Sequence, residues 1–275
     1  MKRVLLILLS VLPLLAYADD FAKVYPDEIL GPVKTVKSAT FVGVMTEKFT
    51  FTDELTPFDI SYYNELSKET KCENWYGGKM ESYTVTTYDG DSSVNIQYDS
   101  NGNIQPYKTI KFYNQNGLPV RIDIYREKDT IWVSDSLVYN QLNKVILVYH
   151  SAYRQPFKLY QSFKYNEQGQ LVGGRTYADG TEVSGFKVEY LQSKTVVTYV
   201  SKSQSDQGLK TWSHEYFFDK KGRLIEERTN TSRTVYADFD KYGNWTRRIT
   251  EASSGPFKTS ATIVRELTYW DFVSM

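Results

Sequence analysis

Two kinds of side chain in this sequence could do chemistry unaided: carboxylates that a chain reversal would bring face to face, and aromatic rings set on an otherwise polar strand face. Glu215 precedes the segment Asp219 to Gly222, and Glu226 and Glu227 follow it. A hairpin turning there would place Glu215 across from Glu226 or Glu227. A glycosidase needs two carboxyls about 5 to 9.5 Å apart across a cleft, one to give a proton and one to attack or to activate water. Arg223, Arg228 and Lys220 stand nearby to neutralise such acids, and cross-strand ion pairing is the ordinary role of acids on a hairpin. A carbohydrate-active hydrolase is therefore the alternative reading and not the first.

The rings make the stronger case. In Arg121-Ile122-Asp123-Ile124-Tyr125 the two isoleucines share a face, as Ile131, Val133 and Leu137 do on the next strand. Tyr125, Trp132, Ser134 and Ser136 lie opposite them. Flat rings on a polar face can stack on sugar rings or anchor a protein, so Tyr125 and Trp132 are the candidate binding residues.

Other chemistries find no support. The two histidines, His150 and His214, are 64 positions apart, and no H-x-x-x-H or C-x-x-C spacing exists to hold zinc. There is no G-x-S-x-G elbow, and the pairs Gly77-Gly78 and Gly173-Gly174 precede no helix that would cradle phosphate. No cofactor or metal is expected. The lone Cys72 excludes an intramolecular disulfide framework and leaves a buried thiol or pairing between two chains.

The first 18 residues read as a secretory signal. Lys2 and Arg3 precede an apolar run from Val4 to Leu15, and Ala16-Tyr17-Ala18 offers the small residues that a signal peptidase reads, with cleavage expected after Ala18. The run is too short to span a bilayer and has no second copy, so no transmembrane segment is expected in the mature chain. Losing Lys2 and Arg3 turns 33 basic against 33 acidic residues into 31 against 33. Such a balance gives nucleic acid nothing to bind. The protein is expected to act in the periplasm or beyond the cell.

The elements that must position these residues are announced by a recurring heptad, as in Tyr165-Asn166-Glu167-Gln168-Gly169-Gln170-Leu171. Copies begin at Tyr98, Tyr113, Phe218 and Phe239, and Tyr139-Asn140-Gln141-Leu142-Asn143 carries Asn in the glycine position. Asp or Asn opening a four-residue turn accepts backbone hydrogen bonds, and Gly at its fourth position supplies positive φ. Each copy is thus a hairpin tip. The leading aromatics Tyr113, Tyr139, Tyr165, Tyr190, Phe218 and Phe239 are 26, 26, 25, 28 and 21 residues apart. That period holds two strands and two turns. With 23 Tyr, 14 Phe and 5 Trp, the composition also favours strands.

These copies resemble the YD repeats of the Rhs-like family, as in Tyr98-Asp99 with Gly102, over roughly residues 30 to 250. Phe239-Asp240-Lys241-Tyr242-Gly243-Asn244-Trp245-Thr246-Arg247 is similar to the closing repeat of small secreted Bacteroidetes-type members, and Gly31-Pro32-Val33-Lys34 to their first strand. The resemblance implies a long antiparallel meander. Large members coil such a sheet into a shell around a toxic cargo, but this chain is short and has no toxin domain after its last repeat. Carbohydrate binding is often attributed to such repeats, and no particular binding residue transfers with the motif.

The expectation is an all-β protein with a signal peptide over 1–18 and one β-repeat domain over 19–275, irregular over 19–82 and built of hairpins over 83–275. It consists of about 12 to 16 strands in an antiparallel meander of hairpins whose sheet twists and curls. Gly31 to Val44 is read as a strand pair and Asp59 to Lys71 as a short helix or loop. The function expected is non-catalytic binding or scaffolding with glycan or protein as ligand, or else a structural role in the envelope. Homodimerisation through sheet edges or Cys72 would manage the exposed edges.

Overall fold

The computed structural model describes residues 29–44, 57–126, 130–202, 209–254 and 257–270. At the first heptad tip the Asp99 carboxylate accepts hydrogen bonds from the backbone N–H groups of Asn101 and Asn103 at 2.9 and 2.8 Å. Gly102, with φ at +82°, donates its N–H to the Asp99 carbonyl. The same bonds recur at Asn114, Asn140, Asn166, Asp219 and Asp240. Asn143 takes glycine's place with φ at 58°, because Asn tolerates the left-handed region best among the other residues.

A further tip lies at Asn64, whose side chain accepts from the N–H groups of Leu66 and Lys68 while Ser67 stands in glycine's position with φ at 57°. Asp59 to Lys71 is accordingly a hairpin between β2 (Phe58–Tyr63) and β3 (Glu69–Tyr76), and neither a helix nor a loop. Serine in the glycine slot hid it from the sequence reading.

Among the described residues there are eighteen strands, from β1 (Val33–Val42) to β18 (Phe257–Tyr269). Each pairs antiparallel with the next. The last also pairs with the first, from Val33 opposite Tyr269 to Val42 opposite Ala261. The sheet is a closed up-and-down barrel. The expected twisted and curled meander of 12 to 16 strands is thereby corrected, although its all-β, antiparallel, hairpin character stands. Local turn signals report which strands are neighbours, whereas closure depends on twist and stagger summed around the ring. An even strand count then lets first and last run antiparallel. Gly31 to Val44 is not a strand pair: it holds the single strand β1, flanked by β2 and β18. Closure leaves no lateral edge for the expected edge dimer. The signal segment lies outside the described residues.

The seam is stitched by the last tip. Asn244, 5 % exposed, donates from Nδ2 to the Leu30 carbonyl at 2.9 Å and accepts from the Leu30 N–H at 2.6 Å. Its amide also reaches Tyr269 Oη and Asp240 Oδ2, and Tyr269 donates to Asp240. Tyr242 lies so close over Gly31 that a Cβ there would sit 2.7 Å from its ring. One turn thus ties together the chain just before β1 and the end of β18.

The register assigns the two faces. Leu137 pairs with Val148, Val188 with Val197, and Tyr216 with Glu227, so Ile122, Leu137, Val148, Phe163, Val188, Val197, Tyr216 and Tyr236 share one face and one core cluster. Side chains converge inside a barrel and splay outside it, so the face that holds Val148 and Val197 at 0 % exposure is the inner one. On β3 to β6 (Ile104–Tyr113) the inner positions turn polar, including Cys72, Thr84, Thr86, Asn95 and Thr109.

The barrel also has two unlike rims. Every even-to-odd connection falls on one rim, which carries the Asn64, Asn114, Asn140, Asn166, Asp219 and Asp240 tips. Odd-to-even connections fall on the other, with Gly77-Gly78, Asp179-Gly180 and, unlike its sister copies, the Asp99 tip.

Candidate functional site: an aromatic rim

The two ring residues expected to bind meet where β7 (Pro119–Arg126) turns into β8 (Thr130–Tyr139). Ile124 pairs with Val133 and Tyr125 with Ile131, so Trp132 is the extra residue of a β-bulge. A bulge re-aims a side chain and breaks pairing locally, and Trp132 emerges 45 % exposed. Its indole stacks on Tyr153 with ring centroids 6.3 Å apart. The Arg126 guanidinium lies 5.0 Å from the same ring and 5.8 Å from that of Tyr107. Arg154 covers Tyr153 at 4.9 Å, and the Lys108 ammonium lies 4.7 Å from Tyr125. Tyr125 and Trp132 thus meet at one bulge, but Tyr125 pairs with Ile131 on one face while Arg126, the cation over Trp132, lies on the other.

Tyr107, Tyr153, Arg126 and Arg154 join this patch without having been foreseen. The one signal for them was the aromatic-basic pair Tyr153-Arg154 inside a connecting turn. Such cation–π contacts contribute roughly 0.5–1 kcal/mol each at exposed sites, enough to hold the rings in one orientation.

A second exposed indole belongs to the same rim on the inner face. Trp212, 42 % exposed, stacks flat on Tyr199 at 5.5 Å and 9° between planes. Tyr199 continues to Phe186 at 5.9 Å and Phe186 to Phe163 at 6.4 Å, a row of rings crossing five adjacent strands. Gly174 makes room for it: a Cβ there would come within 2.6 Å of the Phe186 ring.

The carboxylates proposed for hydrolysis are divided between the faces and each is engaged. Glu215 and Glu226 point outward, Glu227 inward. Lys194 pairs with Glu215. Arg233 and Arg228 hold Glu226, and the Arg233 bond, working with Arg228 against burial, brings its carboxyl down to about 2. Glu227 accepts from Tyr236 Oη at 2.5 Å and bonds His214 Nε2 at 3.1 Å, while His214 Nδ1 meets Tyr216 Oη at 3.1 Å. His150 likewise bonds Asp135 at 2.7 Å. Both histidines thus sit on the inner face in hydrogen-bonded pairs.

Buried acids elsewhere are also hydrogen-bonded. Asp123 accepts from Ser134 and Arg121. Glu73 accepts from Lys71, Tyr62 and Trp75; burial would raise its pKa, but the bonds from Lys71, Trp75 and Tyr62 outweigh it and hold the carboxyl below its ordinary value. Among the described residues no three His, Cys, Asp or Glu side chains gather as metal ligands would. Cys72 is half-buried mid-strand, and burial pushes its thiol up.

No protein-family model and no curated protein sequence matches the chain. Among solved structures, a porin-like protein from Bacteroides uniformis aligns over 87 % of this chain and 99 % of its own, with 9 % identity and a TM-score of 0.46. A TcdB2-TccC3-Cdc42 structure aligns over 75 % of this chain and 15 % of its own, with 10 % identity and a TM-score of 0.32. A Photorhabdus luminescens Tc holotoxin pore gives 13 % identity and a TM-score of 0.33 over 74 % and 12 %. The chain thus spans a small part of the toxin chains it resembles.

Proposed function

We propose that this chain is a non-catalytic binding barrel acting outside the cytoplasm, with a glycan as ligand received on the aromatic rim. The observation that carries this reading is the pair of exposed, stacked indoles, Trp132 on Tyr153 and Trp212 on Tyr199, at one end of the barrel. Rings pre-oriented by stacking and by cations lose little freedom on binding, and the exposed part of an indole suits the apolar face of a sugar ring. The engagement of Glu226 by two arginines supports binding over hydrolysis, since its carboxyl, held near 2, stays ionised and donates no proton.

Surroundings of water suit this barrel better than lipid. Its outer face carries Glu226, Arg228 and Arg233 together, and Arg247 and Glu251 on the next strand. An Arg or Lys facing lipid at the bilayer midplane costs about 2–4 kcal/mol. The signal-like first residues accord with export.

A glycan array followed by calorimetric titration tests the reading. The protein is expected to bind, and Trp132→Ala to weaken binding by roughly tenfold, the loss typical of an anchor worth more than about 1 kcal/mol. Unchanged affinity in a folded Trp132→Ala variant would remove the rim from the account.

A further inference from the structure

We infer a second saccharide site, a polar cleft on the inner face of β3 to β6 that opens at the rim carrying the Asn64 and Asn114 tips; it rests on the glycan reading above but uses the opposite end of the barrel. Its inner chamber, about 410 Å³, is lined by Glu69, Thr86, Tyr88, Ser93, Asn95, Thr109, Lys111 and Tyr113. An adjoining depression of about 590 Å³ shares Glu69, Tyr88 and Tyr113 and reaches the turns at Ser67, Asp91 and Asn114 to Gly117. Ligand pockets generally hold about 300–1,000 Å³, so the two together admit one or two sugar rings.

The lining selects the ligand class. No aliphatic side chain takes part in the chamber: five hydroxyls, one amide, one carboxylate and one ammonium converge there. They are already set by mutual bonds, Ser93 Oγ to Tyr113 Oη at 2.9 Å, Asn95 Nδ2 to Thr86 Oγ1 at 2.9 Å, and Tyr88 Oη to the Glu69 carbonyl at 2.9 Å. Each hydroxyl keeps a lone pair for a ligand, and the Asn95 carbonyl can accept. Burial, with Tyr113 and Glu69 close by, pushes the Tyr88 phenol up, as expected where these groups face one space.

Glu69 and Lys111 line the same chamber. They would match an amino or a carboxylate substituent on the ring. A dense lattice of fixed donors and acceptors fits a polyhydroxylated ring better than an apolar ligand or a peptide side chain, whose binding would leave those groups unpaired.

Saturation-transfer NMR and calorimetry with neutral, amino and uronic oligosaccharides of two to four units, on the wild type and on Lys111→Met, Asn95→Ala and Trp132→Ala, decide the matter. Lys111 is exposed, so Lys111→Met should fold, and circular dichroism checks this for each variant. The expected result is at least a tenfold loss for Lys111→Met and Asn95→Ala, with Trp132→Ala retaining the cleft's signal. If wild type binds and only Trp132→Ala loses affinity, the cleft is overturned and the aromatic rim stands. Loss in the cleft variants alone supports the cleft and removes the rim. No binding of any oligosaccharide overturns both.

Discussion

At the scale of single residues, the barrel concentrates its strongest bonds where charges would otherwise be costly. Glu226 is the clearest case, with Arg233 at 2.9 and 3.0 Å through two nitrogens and Arg228 beside it. Its carboxyl falls from the ordinary 4.5 to about 2, so its contribution is complete above the ordinary value and is lost as pH drops through about 2. Glu226→Gln should therefore lower the melting temperature at neutral pH, and the gap to wild type should close as pH falls from 4.5 towards 2. A constant gap across that window in thermal melts would mean that the Arg pairing adds nothing. Trp132 was legible as a binding candidate from alternation alone. Its prominence was not, because the bulge that ejects it appears only when Tyr125 is found opposite Ile131.

At the scale of elements, the tips are the part of the fold that the sequence announces most plainly, because everything they need lies within six residues. The same bonding set closes on Asp99, Asn114 and Asp219, and each glycine has positive φ. Ser67 departs from the rule with φ at 57°, a conformation that costs an L residue about 1–2 kcal/mol. Ser67→Gly should accordingly stabilise the protein by up to about 1 kcal/mol, and Gly102→Ala should destabilise it by about 1–2 kcal/mol. Urea unfolding measures both, and equal midpoints for the two variants would contradict the account. The polar cleft was not legible: nothing in the spacing of Thr86, Asn95 and Thr109 tells which side of the sheet they take, and it is the register that puts them on the concave side.

At the scale of the whole molecule, closure is what alternation and turn chemistry leave undetermined. Each hairpin specifies its own pairing, but the return of β18 to β1 joins residues more than 200 positions apart, such as Ser38 and Arg265. Asn244 follows the last tip's glycine just as Asn103 follows Gly102, and its partners Leu30 and Tyr269 could not be guessed from spacing. Native-state hydrogen exchange should find the β1 and β18 amides protected as strongly as those of β9 (Val145–Ala152), which sits mid-ring. Fast exchange along either strand would show a sheet with a free edge.

Because Trp270 N–H donates to the Pro32 carbonyl at 2.9 Å, the entry to the first strand and the exit from the last stand shoulder to shoulder. A ring in which every strand has two partners has no privileged starting point. Joining Pro32 to Trp270 through a short peptide and severing the polypeptide at another reversal would give a circular permutant with the same eighteen ladders, so the order in which the strands leave the ribosome is separable from the architecture they build.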